Sequence, residues 1–111
     1  MSEDPAGPVF AALADPTRRE LVRVLATTGP MTATQLALPL GISRQAASKH
    51  LAALHLAGLV RADRVGRESR FTLVTGPFAH AEAWMRAIGA SWDDRLHRLR
   101  AFLEHDVGDA G

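Results

Sequence analysis

From Val9 to Leu54 the apolar residues recur at steps of three and four. After Gly58 they alternate, and after Gly76-Pro77 the longer steps return. Read as the helical and strand periods, this pattern predicts four helices, a hairpin and one long final helix. The first helix is short, with Val9, Phe10, Leu13 and Ala14 as its apolar face. Asp15 before Pro16 reads as an N-cap with proline at the first helical position, where its missing amide costs nothing. Leu21, Val22, Val24 and Leu25 supply a buried stripe, and Gly29-Pro30 ends that helix. Arg18, Arg19 and Arg23 fall off the stripe and are expected in solvent. Thr32 and Gln35 have the spacing of a capping box for a third helix with Leu36 inside. Pro39 is expected to end it early, because proline lacks the ladder amide and turns Leu38 away from helical dihedrals. Leu40-Gly41-Ile42 is then the turn.

The fourth helix, about 43–57, carries the most informative pattern. At about 100° per residue, Arg44, Gln45, Ser48, Lys49 and Ala52 share an arc of about 140°, with Ala47, His50, Leu51 and Leu54 opposite. Ser43 stands where an N-cap belongs and Gly58 is a natural stop. One side can pack, while the other offers the small, hydrogen-bonding and cationic groups that reach base edges and phosphates in a major groove. With the short helix and glycine turn before it, this reads as a helix-turn-helix. Two strands follow about a turn at 65–68, with Val60, Ala62, Phe71 and Leu73 facing inward and Arg64, Arg67 and Arg70 at or near the tip. Arginines there can simply keep an edge hairpin soluble. Directly after a recognition-like helix, the segment 60–73 reads as a wing that grips phosphate.

In the final helix, about 77–105, Phe78, Ala81, Met85, Ile88, Trp92, Leu96, Leu99 and Leu103 form one stripe, widened by Ala83, Trp84 and Phe102. So small a body cannot cover that much apolar surface, which predicts packing against a second copy of the chain alongside the N-terminal helix. The expected interface comprises Phe10, Leu13, Phe78, Trp84, Met85, Ile88, Trp92, Leu96 and Leu99. Gly89 marks a kink or a close helix crossing. The seam at Trp84, Ile88 and Trp92 is where an unknown small-molecule effector would bind, although core filling alone accounts for these side chains. Residues 1–8 and 106–111 are expected to be flexible, leaving 9–105 as a single domain.

Composition narrows the function. The chain has 111 residues, 47% apolar and 23% charged, as a globular domain does. It has no cysteine, which excludes disulfides, thiolate metal sites and a cysteine nucleophile. No segment is long and apolar enough to cross a bilayer and no signal peptide opens the chain, so no membrane partner is expected and a cytoplasmic location is. The net charge is only +1, yet between Ser43 and Arg70 six basic side chains face two acidic ones. Such a local surplus is the footprint of phosphate binding.

Several motifs then line up in order: A-L-A-D-P-T-R-R-E-L from Ala12 to Leu21, T-Q-L-A from Thr34 to Ala37, S-R-Q-A-A-S-K-H-L-A-A-L from Ser43 to Leu54, A-G-L-V from Ala57 to Val60 and V-G-R-E from Val65 to Glu68. Together they resemble the ArsR family over about Phe10 to Leu73, and the W-x7-W of Trp84 and Trp92 is similar to a branch without the usual metal site. The resemblance implies a mainly α winged helix-turn-helix with a small β-hairpin, dimerising through its N- and C-terminal helices. It implies a homodimeric repressor on an inverted-repeat operator in double-stranded DNA, often that of its own operon. Carried over by position, base reading falls on Arg44, Gln45 and Ser48, phosphate holding on Ser43 and Lys49, and the wing contact on Arg64 and Arg67. His50 matches a common family position, but the helical wheel turns it toward the packed side, as a structural histidine.

The metal-sensing motifs of the family do not match here. There are no cysteines, His80 follows Phe78 and Ala79 without the Asp-x-His pattern, and His97 is followed three residues later by Arg100. Asp93 and His97 stand at i, i+4, with His105 two turns beyond, a spacing that leaves a stray metal site as the alternative to reading them as surface residues of a charged helix; no cofactor is expected. Two other functions compete. A protein-interaction module on the same scaffold would present the Ser43–Ala52 face to protein, but that face lacks aromatic anchors. An enzyme would need a nucleophile elbow, phosphate loop or His-Glu motif, none of which is present. Ser48 and His50 also face different ways on one helix.

Overall fold

The computed structural model describes residues 6–110, with side chains through residue 104. The order is α1 (Ala6–Leu13), α2 (Pro16–Thr28), β1 (Met31–Thr32), α3 (Ala33–Leu40), α4 (Arg44–Leu56), β2 (Val60–Val65), β3 (Glu68–Leu73) and α5 (Gly76–Ala110). It is a mainly helical winged helix-turn-helix with a three-stranded antiparallel sheet in the order β1-β3-β2. The chain divides into two compact units, one ending at Ala81 and one beginning at Glu82.

The first unit is held by one apolar core in which Val9, Leu21, Leu36, Leu51, Leu54 and Leu59 are the largest side chains sealed from solvent. Helix caps define its edges. The Asp15 carboxylate accepts from the amides of Thr17 at 2.8 Å and Arg18 at 3.2 Å, with Pro16 at the start of α2. At α3 the capping box is complete: the Gln35 amide donates to Thr32 Oγ1 at 3.2 Å and the Thr32 amide to Gln35 Oε1 at 2.9 Å.

Helix α1 begins at Ala6, so residues 6–8 of the stretch expected to be flexible are helical. Burial of Ala6 and Val9 secures this turn, and Pro8 lies among the first helical positions, whose amides have no partner to lose. Arg18 and Arg19 are not simply solvated. Arg18 Nε donates to Ala12 O at 2.6 Å, and Arg19 Nη1 to Leu13 O at 2.7 Å and Ala14 O at 3.1 Å. Two guanidinium groups thus serve carbonyls at the end of α1 that the helix ladder leaves open. Only Arg23 is held as expected, in an exposed pair with Glu20 at 2.7 Å.

Pro39 does not end α3, which runs on to Leu40. Near the last turn proline forfeits a single ladder bond, and a closing motif offsets it. Gly41 adopts φ +65°, ψ +31°, its amide donates to Leu38 O at 3.2 Å, and the Ile42 amide donates to Ala37 O at 3.3 Å. A side chain at Gly41 would strain this left-handed turn, which sets the angle at which α4 departs. Helix α4 ends the same way, with Gly58 N donating to His55 O and Leu59 N to Leu54 O, both at 2.9 Å.

The hairpin β2–β3 pairs Val60 with Leu73 through to Val65 with Glu68. Its two-residue turn has Gly66 at φ +65° and Arg67 at negative φ, the arrangement of a type II′ turn. Ala62 does not face the core as expected. Only Val60 of β2 is buried, because the strands run past the body and leave the outer part of that face open. Strand β1, which the period-2 pattern did not predict, pairs Met31 with Phe71 and Thr32 with Arg70.

In the second unit α5 continues to Ala110, beyond the expected limit of 105. At about 100° per residue, Met85, Ile88, Trp92, Leu96, Leu99 and Leu103 fall within an arc of about 80°. All six are 43–57% exposed. Glu82–Arg86 and Asp94–Arg98 are ion pairs at i, i+4, and the Arg95 guanidinium lies 5.6 Å from the Trp92 ring centre. Among the described residues, nothing outside its own helix lies within 4 Å of where a side chain at Gly89 would begin. Among the described residues no helix is long and apolar enough to span a membrane.

Leu51→Ala is expected to cost about 2–5 kcal/mol in urea unfolding at fixed protein concentration. A loss below 1 kcal/mol would show that the inner face of α4 is not held by packing. Hydrogen bonding from the Arg18 amide, joined by the Thr17 amide and nearby His50 and opposed by desolvation, holds the Asp15 carboxyl below its ordinary 3.8. A depressed pKa stabilises the fold above the unfolded value and stops doing so as pH falls through the lower folded value. The thermal midpoint of wild type should therefore exceed that of Asp15→Asn by a constant margin above about pH 5, and the margin should close in the acid range.

Candidate nucleic-acid interface

Helix α4 lies on α2, α3 and the base of β2. Ala47, Leu51 and Leu54 are completely buried and His50 half-buried, whereas Arg44, Gln45, Ser48, Lys49 and Ala52 are all exposed. The division predicted by the helical wheel is present residue for residue. Ser43 caps the helix, its Oγ accepting from the Ala46 amide at 3.0 Å. That bond uses an oxygen lone pair and leaves the hydroxyl hydrogen available to a further acceptor. His50 comes close enough to Asp15 at the head of α2 to help hold the carboxylate charged, in keeping with a structural position.

The sheet brings the wing to the same surface. Strand alternation places Val60, Ala62 and Arg64 on one face with Ser69, Phe71 and Leu73, and Arg61, Asp63 and Arg70 on the other. Arg64 therefore points to the side on which α4 lies. A cleft of about 390 Å³ is lined by Arg44 and Ser48 of α4, Arg64, Glu68, Ser69 and Phe71 of the hairpin, Arg67 of the turn, and Thr32 to Thr34 at the start of α3. It adjoins a shallower depression formed by Arg44, Gln45, Ser48, Lys49 and Ala52. Among the described residues, Arg44, Gln45, Ser48, Lys49, Arg64 and Arg67 make no side-chain hydrogen bond or ion pair within the protein. Cations and donors left unsatisfied on one surface are matched to an external anion rich in acceptors.

Arg70 is not part of this cleft. It stands across from Asp63 on the other face of the hairpin, and Asp63 is itself engaged by Arg61 at 3.1 Å. A single residue of register separates it from the face of Arg64. Conversely, Thr34 and Ser69 line the cleft and were not singled out in the sequence; only the alternation of Ser69 with Phe71 could have suggested the second. Of the residues expected at a dimer interface, Leu13 and Phe78 pack on the core of the first unit, and Phe10 is 39% exposed. Trp84, Met85, Ile88, Trp92, Leu96 and Leu99 are exposed on α5. No three His, Asp or Glu side chains are grouped as metal ligands among the described residues, and the side chain of His105 lies outside them.

The chain is similar in sequence and in architecture to transcriptional regulators. Residues 13–62 match a helix-turn-helix domain family. The HTH-type transcriptional regulator CmtR of Mycobacterium tuberculosis is 42% identical over 82 residues, which are 73% of this chain and 68% of the relative. An ArsR-like transcriptional regulator from Rhodococcus sp. RHA1 superposes with a TM-score of 0.77 at 39% identity, over 88% of this chain and 92% of that one. The homodimeric winged helix-turn-helix DNA-binding domain (fragment 1–100) of Mb0332 from Mycobacterium bovis, described as a possible ArsR-family regulator, gives a TM-score of 0.63 at 28% identity, over 78% and 80%. With an outward-facing α4 and a basic wing on that same scaffold, the chain belongs to the ArsR family of DNA-binding transcriptional regulators, a family of regulators and not of enzymes.

Proposed function

We propose that the protein is a homodimeric, sequence-specific repressor of its own or a neighbouring operon, with α4 in the major groove and the β2–β3 wing on the flanking backbone. The observation that carries this reading is the unsatisfied donor surface shared by α4 and the wing. Arg44, Gln45 and Ser48 read base edges: guanidinium groups suit guanine, and the glutamine amide suits adenine. Ser43 and Lys49 hold phosphates beside them, and Arg64 and Arg67 extend the grip along the strand. Arg70, on the far face of the hairpin, takes no part.

Dimerisation supports the reading in two ways. The stripe of α5 is too wide and apolar to remain in water, and a second copy is an occupant with the same stripe. Two copies also present two α4 helices to two half-sites of an inverted repeat, whose symmetry mirrors that of the protein. Occupancy of a promoter by such a dimer excludes other proteins from it, which is repression in its simplest form.

Fluorescence anisotropy on a duplex from the gene's own promoter and on a random duplex of equal length tests the function. The promoter should be preferred by about 10³-fold or more at physiological salt. Equal affinity for the two would refute the reading. Six phosphates held by Lys49, Arg64 and Arg67 of two protomers imply a log–log salt slope of about −5. Arg44→Ala should cost about 1–3 kcal/mol on the promoter and relax preference at one base pair, whereas Lys49→Ala should weaken both duplexes alike. Ile88→Glu, placed on the α5 stripe, is expected to give monomers in sedimentation at micromolar protein and to abolish promoter preference. A dimer that persists in this variant and in Trp92→Glu would place the self-association elsewhere.

A further inference from the structure

Two hydroxyl groups in the α4–wing cleft have no role in the account so far. Thr34 is exposed on the first turn of α3, and Ser69 is half-buried on β3, directly across the hairpin from Arg64. Both line the cleft, and neither is bonded within the protein among the described residues. Their neighbour Thr32 differs, because it is buried and its oxygen accepts from the Gln35 amide in the capping box. Packing does not explain the two hydroxyl groups either, since the apolar floor on this side of the sheet is Phe71. The cleft gathers hydroxyls from α3 and β3 and guanidinium groups from α4 and the wing, so that three arginines outnumber its one carboxylate, the exposed Glu68.

We propose that Thr34 and Ser69 clasp one backbone phosphodiester of the bound duplex between α3 and the wing. Each donates a hydrogen bond to a non-bridging oxygen, while Arg64 beside Ser69 supplies the opposing charge. A phosphodiester fits this set because its two non-bridging oxygens share one negative charge and accept from several directions at once. Hydroxyl and guanidinium donors at a phosphate carry no base information, so this contact positions α4 along the groove and does not select sequence. It also ties the wing and the head of α3 to the same strand. The proposal rests on the DNA-binding reading above.

Thr34→Val and Ser69→Ala, singly and together, test it by anisotropy on the promoter and random duplexes. Each single change is expected to weaken both duplexes about 3–10-fold, as the loss of one hydrogen bond does. The promoter-to-random ratio and the salt slope should stay unchanged, because a neutral hydroxyl displaces no counterion. Arg64→Ala, by contrast, should lower the slope. Thr34→Ser should restore affinity, which a role in packing the valine-like methyl would not allow. A scan of neutral methylphosphonate linkages through the promoter should find one position per half-site that weakens wild type more than the double variant, in which only Arg64 still senses the lost charge. Unchanged affinity in the double variant, losses confined to the promoter, or no coupled methylphosphonate position would each overturn the proposal while leaving wild-type promoter preference intact. Failure of wild type to prefer its promoter would instead count against the function itself.

Discussion

The structure depends on the burial of one face of α4. Ala47, Leu51 and Leu54 are sealed against α2, α3 and the foot of β2, and each leucine contributes about 1.5–3 kcal/mol by leaving water. Burial of this kind has no direction of its own, yet on a rigid helix it fixes rotation. Once these three positions point inward, Arg44, Gln45, Ser48 and Lys49 must point outward. A rotation of 100° about the helix axis would bury a charge or expose a leucine, and either is costly.

Around that face the remaining devices set angle and reach. Gly41 in its left-handed turn determines how α4 leaves α3, and the Ser43 cap fixes where the helix begins. The tight turn at Gly66 folds the wing back so that Arg64 returns to the side of α4. Arg18 and Arg19 close the end of α1, which gives the arginine pair of the A-D-P-T-R-R segment a hydrogen-bonding role within the chain. The protein thus sorts its guanidinium groups. Those near α1 and α2 are engaged internally, while those on α4 and at the wing tip are left open.

Among the described residues, Arg44, Arg64 and Arg67 lie together with only the exposed, unpaired carboxylate of Glu68 beside them, which opposes folding slightly, since like charges on one surface repel. Ion pairs such as Arg61–Asp63 show that the same hairpin can neutralise arginine where it faces away from the cleft. An array of unpaired donors is what a polyanion relieves, and release of its counterions supplies the driving force.

Much of this was legible in the residues themselves. The helical period assigned the two faces of α4, the Thr32/Gln35 spacing announced the capping box of α3, Asp15-Pro16 announced the N-cap of α2, and alternation announced the hairpin, because each depends on neighbours a few positions away. Tertiary structure decided the rest. Strand β1 is two residues long and exists only because β3 pairs with it, and Pro39 is tolerated inside α3 because the Gly41 motif closes the last turn. Ala62 is exposed although its period predicts the core, because a wing that projects past the body has nothing to cover it. Arg70 leaves the cleft and Ser69 enters it by one step of strand register, and Thr34 joins them across a gap of more than thirty residues. Periodicity states which face a side chain occupies, but what lies opposite that face is settled only when distant segments pack.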